Sequence, residues 1–197
     1  MRRQGAGISL RCATADDLPR IEELARAATD SLLGPFLSPG QRVAAQAFTP
    51  LDPWLIEEGR YYVVDIGGVL VAAGGWSLRQ GLLHDPSAPG APCEPGRPGT
   101  PPTARLRAMY TAPRFARQGL GRAVLCFCEA AARLSGCLRM ELLATPVGRL
   151  LYQRCGYSLA REAEICAPDG TRFRVFHMGK TLAGTAPAGA LGRGTDD

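Results

Sequence analysis

The stretch Leu106–Ala123, LRAMYTAPRFARQGLGRA, limits what this chain can fold into more than any other. It predicts a strand over Leu106–Thr111, a turn opened by Pro113, a loop rich in Gly and Arg, and a helix starting near Gly119. A helix entered through Gly-x-Gly leaves several backbone N–H groups without partners, and its dipole adds partial positive charge at the same point. Arg114, Arg117 and Arg122 surround it. The combination suits a phosphate group.

The rest of the chain reads as a framework for that stretch. Ile8–Arg11 is a short strand, and Thr14-Ala-Asp-Asp17 is a capping box. Leu18, Ile21, Leu24 and Ala25 follow at helical spacing and predict a helix over about residues 15–29. Gly34-Pro35 breaks it. Ser38-Pro39 starts a second helix, with Val43, Ala44, Ala47 and Phe48 on its apolar side, and Asp52-Pro53 starts a short helical turn through Ile56. These two short helices are candidates for one wall of a cleft.

Tyr61–Ile66 and Val69–Ser77 predict a hairpin through Gly67-Gly68. Gly74-Gly75 inside the return strand signals a bulge, or close approach of another backbone or a ligand. Residues 81–103 are rich in Pro and Gly and read as a long loop within the domain, of the kind that serves as lid, binding loop or disordered segment. The helix after the phosphate loop turns Leu120, Val124, Leu125, Cys128, Ala131, Ala132 and Leu134 inward and stops at Gly136. A strand over Arg139–Leu143, a short helix over about 148–155, and strands over Ser158–Ile165 and Phe173–Met178 complete the pattern, the last two joined by Pro168-Asp169-Gly170. The order β-α-α-β-β-β-α-β-α-β-β predicts a mixed α/β (α+β) domain with an antiparallel meander first and a strand–helix–strand crossing later. The expected organisation is a loose tail over residues 1–6, one domain over 7–182, and a low-complexity, disordered tail over 183–197.

Charge and cysteine usage narrow the partners. The net charge is +5, almost all of the positive charge is Arg, and Lys180 is the sole lysine, as codon bias in a GC-rich genome would give. Such a surface is either plainly solvated or draws in anionic ligands. Clustered Arg with interleaved aromatics is missing, so nucleic acid is not an expected partner. The 7 Cys have no regular spacing, which argues against a disulfide framework, and Cys126-Phe-Cys128 lacks a matching pair for zinc. A reducing cytoplasmic setting is expected, with no metal. No stretch approaches the ~18–20 apolar residues a membrane helix requires, so no membrane partner is expected.

The segment Tyr110–Ala123 resembles the acetyl-CoA signature of the GNAT superfamily of N-acetyltransferases, in which a strand and a proline precede Arg/Gln-x-x-Gly-x-Gly/Ala. Leu151-Tyr152-x-x-x-Gly156-Tyr157 resembles that family's Leu-Tyr-x-x-x-Gly-Phe segment, and Leu10-Arg-x-Ala-Thr-x-x-Asp17-Leu-Pro resembles a common opening. The resemblance spans about residues 8–181. Two positions depart from it: Ala116 stands at the first motif position, and Thr145 replaces the Asn before the last crossover helix.

The resemblance implies a GNAT acyl-CoA N-acyltransferase fold, with a central, mostly antiparallel sheet flanked by helices. It further implies acetyl-CoA as co-substrate and transfer to a primary amine of a small molecule or protein in a ternary complex. Pyrophosphate would rest on the backbone of Arg117, Gln118, Gly119, Leu120, Gly121 and Arg122. The pantetheine arm would enter where the first motif strand leaves the next one and pair with Met109 and Thr111, with a backbone N–H near Tyr110 polarising the thioester. Tyr152 would donate a proton to the leaving thiolate. Cys155, three residues on, opens an acyl-cysteine alternative.

A base for the acceptor ammonium is not singled out. Glu141, Asp52, Glu57, Glu58 and His84 are all candidates, as is ordered water. Arg105 and Arg107, alternating along one strand, would attract an acidic acceptor, contact CoA phosphates, or simply be exposed sheet charges. A non-catalytic acyl-CoA sensor or scaffold is the alternative reading, and the family's dimeric members make a homodimer compatible with either.

Overall fold

The computed structural model describes residues 7–45, 51–79, 102–167 and 169–182. The two tails, Ala47 and Phe48, nearly all of the 81–103 loop, and Pro168 lie outside the described residues.

Seven strands form one sheet in the order β1-β2-β3-β4-β5-β7-β6. Strands β1 (Ile8–Cys12), β2 (Tyr61–Ile66), β3 (Val69–Ser77) and β4 (Thr103–Thr111) run antiparallel to one another. β5 (Arg139–Ala144) lies parallel to β4, and β7 (Arg172–Thr181) returns antiparallel between β5 and β6 (Ser158–Cys166). The parallel pair is joined through α4 (Leu120–Leu134), the crossing that the element order required.

The first helix begins as expected. Asp17 accepts from the Thr14 amide at 2.9 Å, closing the capping box. Helix α1 (Leu18–Ala28) then continues past the expected end as one wider turn with π geometry over Thr29–Leu33. Polar Thr29 and Asp30 and the following Gly34-Pro35 gave no sign of that extension in the sequence. α2 (Pro39–Ala45), α3 (Trp54–Glu57) and α5 (Arg149–Arg154) match the three short helices expected.

The sheet is apolar on both faces, so it needs a layer on each. On one face α4 buries Val124, Leu125, Cys128 and Ala132 against Trp76, Met140 and Leu142. On the other, Ile21, Leu24 and Leu55 pack on Tyr61, Val63 and Leu70. A smaller cluster of Ala44, Ala45, Ala167 and Phe173 ties α2 to the β6–β7 hairpin. Each fully buried Val, Leu, Ile or Met side chain contributes about 1.5–3 kcal/mol of transfer free energy. Among the described residues, no helix is long and apolar enough to cross a membrane.

Candidate active site

β4 and β5 pair only at Thr103–Arg139, Ala104–Met140 and Arg105–Glu141. Beyond Arg105, β4 stays with β3 while Leu142–Ala144 of β5 stay with β7, so the two strands part. The wedge between them opens into a cleft of ≈ 690 Å³, lined by both diverging strands, the loop before α4, and α5.

The edge of β4 in this wedge is shaped by a bulge. Ala73 faces Tyr110 and Gly75 faces Arg107, so Gly74 alone opposes Ala108 and Met109. Ala108 takes a positive φ of 45°. Leu106 and Met109 pack toward α4, whereas Ala108 and Tyr110 pack toward α1 and α3. Gly74 is required here, because a Cβ would collide with the Met109 sulfur and come within 2.9 Å of Val124. The Ala112 amide donates to Val71 on β3 at 2.8 Å. Amides alternate along a strand, so those of Tyr110 and Ala112 face β3, and those of Met109 and Thr111 face the wedge. The donor expected near Tyr110 is therefore a neighbour's amide, not that of Tyr110 itself.

The loop expected to hold phosphate follows directly. Gly119 caps α4 with φ +86°, and Arg117 also has positive φ, +66°. Left-handed residues at such a corner turn successive amides toward one concave point, a shape that holds anions. Arg117, Gly119, Leu120, Gly121 and Arg122 line the cleft together with Ala116. Gln118 is not among the lining residues; its side chain donates to the Arg114 carbonyl at 3.2 Å.

Tyr152 lines the cleft from α5 and is 8% exposed, its ring edge-on to Tyr157 at 5.9 Å. Burial pushes its phenol well above the usual range. Thr145, standing where Asn was expected, accepts from the Gly148 amide at 3.1 Å and so shapes the entry to α5. Burial also pushes up the Cys155 thiol, the opposite of what a thiolate nucleophile requires.

The acid candidates separate clearly. Glu141 lies outside the cleft and binds Arg139 at 2.8 Å and His177 at 3.3 Å. Glu58 pairs with Arg79 at 2.9 Å and Arg60 at 3.3 Å, and Glu57 is exposed. His84 lies outside the described residues. Asp52 alone of the carboxylates among the described residues lines the cleft, and Arg107 lines it as well. Leu55, in the short helical turn expected to form a cleft wall, lines it; periodicity did not reveal Leu32 and Leu33 of the π turn, Leu51, Ile165 or Val175, which complete the apolar wall. Of the two short helices expected as that wall, only α3 lines the cleft.

The family model of the Acetyltransferase (GNAT) family matches residues 21–157. No curated protein matches the sequence. Similar solved structures include the GCN5-related N-acetyltransferase of Rhodopseudomonas palustris, at 16% identity and TM-score 0.66 over 92% of this chain and 99% of that one. The PaiA N-acetyltransferase of Thermoplasma acidophilum, solved in complex with coenzyme A, follows at 15% identity and TM-score 0.61 over 89% and 99%. The ribosomal-protein-S18-alanine N-acetyltransferase of Escherichia coli has 16% identity and TM-score 0.56 over 94% and 100%. At these identities the likeness concerns the fold.

Proposed function

This chain belongs to the GNAT acetyltransferase family, and from that premise we propose that it is an acetyl-CoA-dependent N-acetyltransferase, moving acetyl to a primary amine by direct attack in a ternary complex. The observation that carries this reading is the parting of β4 from β5 after Arg105, which opens a strand edge leading to the phosphate loop. The likeness to a fold neighbour solved with coenzyme A supports it.

The residues fit that ligand in shape and charge. Positive φ at Arg117 and Gly119 makes the concave amide corner a pyrophosphate needs, and Arg117 and Arg122 bring cationic side chains to it. Met109 and Thr111 offer wedge-facing backbone groups to the amides of a pantetheine arm. When bound, acetyl-CoA supplies an acyl group activated as a thioester. The same wedge-facing amides stabilise negative charge that grows on the acyl oxygen during attack. Tyr152 gives its proton to the departing sulfur; burial, which raises the phenol, keeps it protonated at rest while making it a weaker acid. The raised Cys155 thiol favours direct transfer over an acyl-cysteine.

Acetyl-CoA at millimolar concentration is expected to raise Tm, as a ligand of the folded state must, and to release free thiol in the presence of a suitable amine. No change in Tm would remove acetyl-CoA from this reading. A raised Tm with no thiol released by any amine or peptide would make the protein an acyl-CoA sensor or scaffold.

A further inference from the structure

Tyr152 sits on a helix too short to aim it. α5 has six residues, and so short a helix is marginal by itself. The residues that follow supply the hold. Gly156 takes φ +89°, and its amide donates to the Gln153 carbonyl at 3.0 Å. The Tyr157 amide donates to the Tyr152 carbonyl, also at 3.0 Å. These two bonds close the helix end through a left-handed glycine, and they tie the backbone of Tyr157 directly to that of Tyr152. The two rings also meet, edge to face, with centroids 5.9 Å apart.

Behind Tyr157 stands an ion pair that joins two further elements. Lys180 on β7 donates from Nζ to both carboxylate oxygens of Glu129 on α4, at 2.9 and 2.8 Å. The same ammonium lies 5.5 Å from the centroid of the Tyr157 ring, within reach of a cation–π contact. Lys180 Cε passes close to Gly156, 3.7 Å from where a Cβ would stand. Glu129 is 4% exposed and Tyr157 3%. Burial, and then the Glu129 charge, raises the Tyr157 phenol far above its usual range, so the ring meets the ammonium as a neutral phenol.

We propose that Tyr157 and the Glu129–Lys180 pair are positioning residues for Tyr152, a post behind the cleft that links α4 to β7 and holds the Tyr152 hydroxyl toward the departing sulfur. The inference rests on the reading of Tyr152 as proton donor. Tyr152 lines the cleft, whereas Glu129, Tyr157 and Lys180 are not among its lining residues, so their influence on a bound molecule passes through Tyr152. A buried ion pair adds little net stability over apolar residues of the same volume, so stability alone is a weak reason for this one. What the pair does give is fixed geometry. Both Glu129 oxygens are committed to one ammonium, and that ammonium lies against one ring. Proton transfer needs such geometry, because the donor must come within about 2.6–3.2 Å of the atom it serves. A misplacement of about 1 Å costs on the order of 10²-fold in rate.

The test is a mutant cycle on the full chain. Lys180→Met alone would strand a buried carboxylate, so both charges are removed together, as Glu129→Gln with Lys180→Met. Wild type, this double variant, Tyr152→Phe and the triple variant are compared by thiol release from acetyl-CoA. Each is first checked for an acetyl-CoA-induced rise in Tm, which reports folding and cofactor binding together. The acceptor is the best of n-butylamine, 2-phenylethylamine, spermidine, L-lysine and an alanine-initiated hexapeptide. The double variant is expected to lower kcat about tenfold or more, with KM for acetyl-CoA changed less than about threefold. In the Tyr152→Phe background the same change is expected to lower kcat less than about twofold, because the group it positions is already gone. A general loosening of the fold would cost the same factor in both backgrounds. An equal loss in both therefore overturns the inference while leaving acetyl transfer standing, as does a double variant with wild-type kcat. If the double variant does not fold, Tyr157→Leu takes its place in the cycle, with the same expectation and the same overturning results. Wild-type turnover by Tyr152→Phe removes the proton-donor reading, and the inference with it. No thiol release with any of the five acceptors removes acetyl transfer and the inference together.

Discussion

The hydroxyl of Tyr61 on β2 donates to the carbonyl of Ala108 on β4 at 2.7 Å, reaching across the intervening strand β3. Tyr61 is fully buried, and burial raises its phenol well above the usual range, so it remains a donor throughout the working pH. Ala108 is the bulge residue with positive φ, a conformation that costs an alanine roughly 1–2 kcal/mol. Tyr61 is thus a clamp on the strand edge that faces the cleft.

Removing that hydroxyl is expected to loosen the edge without emptying the core. Tyr61→Phe should lower stability by about 1–2 kcal/mol, the cost of a buried carbonyl left without its donor. It should also weaken acetyl-CoA binding, since Met109 is the next residue. Denaturant melts and calorimetric titration measure the two effects, and unchanged acetyl-CoA affinity would mean that the bulge holds its shape unaided.

Gly75 lies where two strands approach too closely for a side chain. A Cβ there would meet the Arg60 carbonyl at 2.5 Å and the Tyr61 ring at 2.6 Å. Neither can swing aside, because one is backbone and the other belongs to the clamp. Gly75→Ala should therefore destabilise the fold by about 1–3 kcal/mol. A melting curve like that of the wild type would contradict this packing.

Tyr152→Phe separates chemistry from binding. Loss of the proton donor should lower turnover by about 10²-fold or more, while acetyl-CoA affinity changes less than threefold. Because burial raises the phenol pKa, Tyr152 keeps its proton across the neutral and moderately alkaline range. Any fall in wild-type rate between about pH 8 and 10 must then come from another group, against the ordinary phenol value of about 10. Rate–pH curves of both proteins check this, and equal turnover would leave Tyr152 with packing alone.

The first turn of the chain carries an acid-sensitive lock. Asp17 binds Arg11 at 2.6 Å, and Arg20 reaches both Asp17 and Asp65. The hydrogen bond from Arg11, with help from the Thr14 backbone, holds the Asp17 carboxyl far below the usual carboxylate range. A carboxyl whose pKa is lowered by folding binds its proton more readily in the unfolded chain, where the value is about 3.9. Its stabilisation is therefore complete above about pH 5 and is lost as pH falls through 4 toward the folded-state value. Asp17→Asn should cost about 1–3 kcal/mol at pH 7 and flatten the decline in stability between pH 5 and 3. Urea melts across that range measure both, and parallel declines in the two proteins would remove Asp17 from the account.

The strands, the capping box and the left-handed corner before α4 were legible because each rests on local chemistry: alternation, a cap with its acid, a glycine before a helix. The Gly74-Gly75 signal also held, since both positions are close approaches. Its consequence on β4 was hidden, because Ala108 carries the left-handed turn without being a glycine. The π turn at Thr29–Leu33 was invisible because nothing in the local residue pattern distinguishes a wider turn from a helix end. Asp52 could not be told from Glu57 or Glu58 by spacing. Only the fold shows Glu58 pairing with Arg79 and Arg60 and Asp52 lining the cleft.

The early parting of β4 from β5 gives this protein an edge strand on the inside. At the rim of a sheet, an unsatisfied row of amides and carbonyls invites other chains to add on and aggregate. Here the row lies within the sheet and faces a cleft that α5 and the π turn also line. The domain thereby keeps inside a cleft what would be a hazard at a sheet's rim.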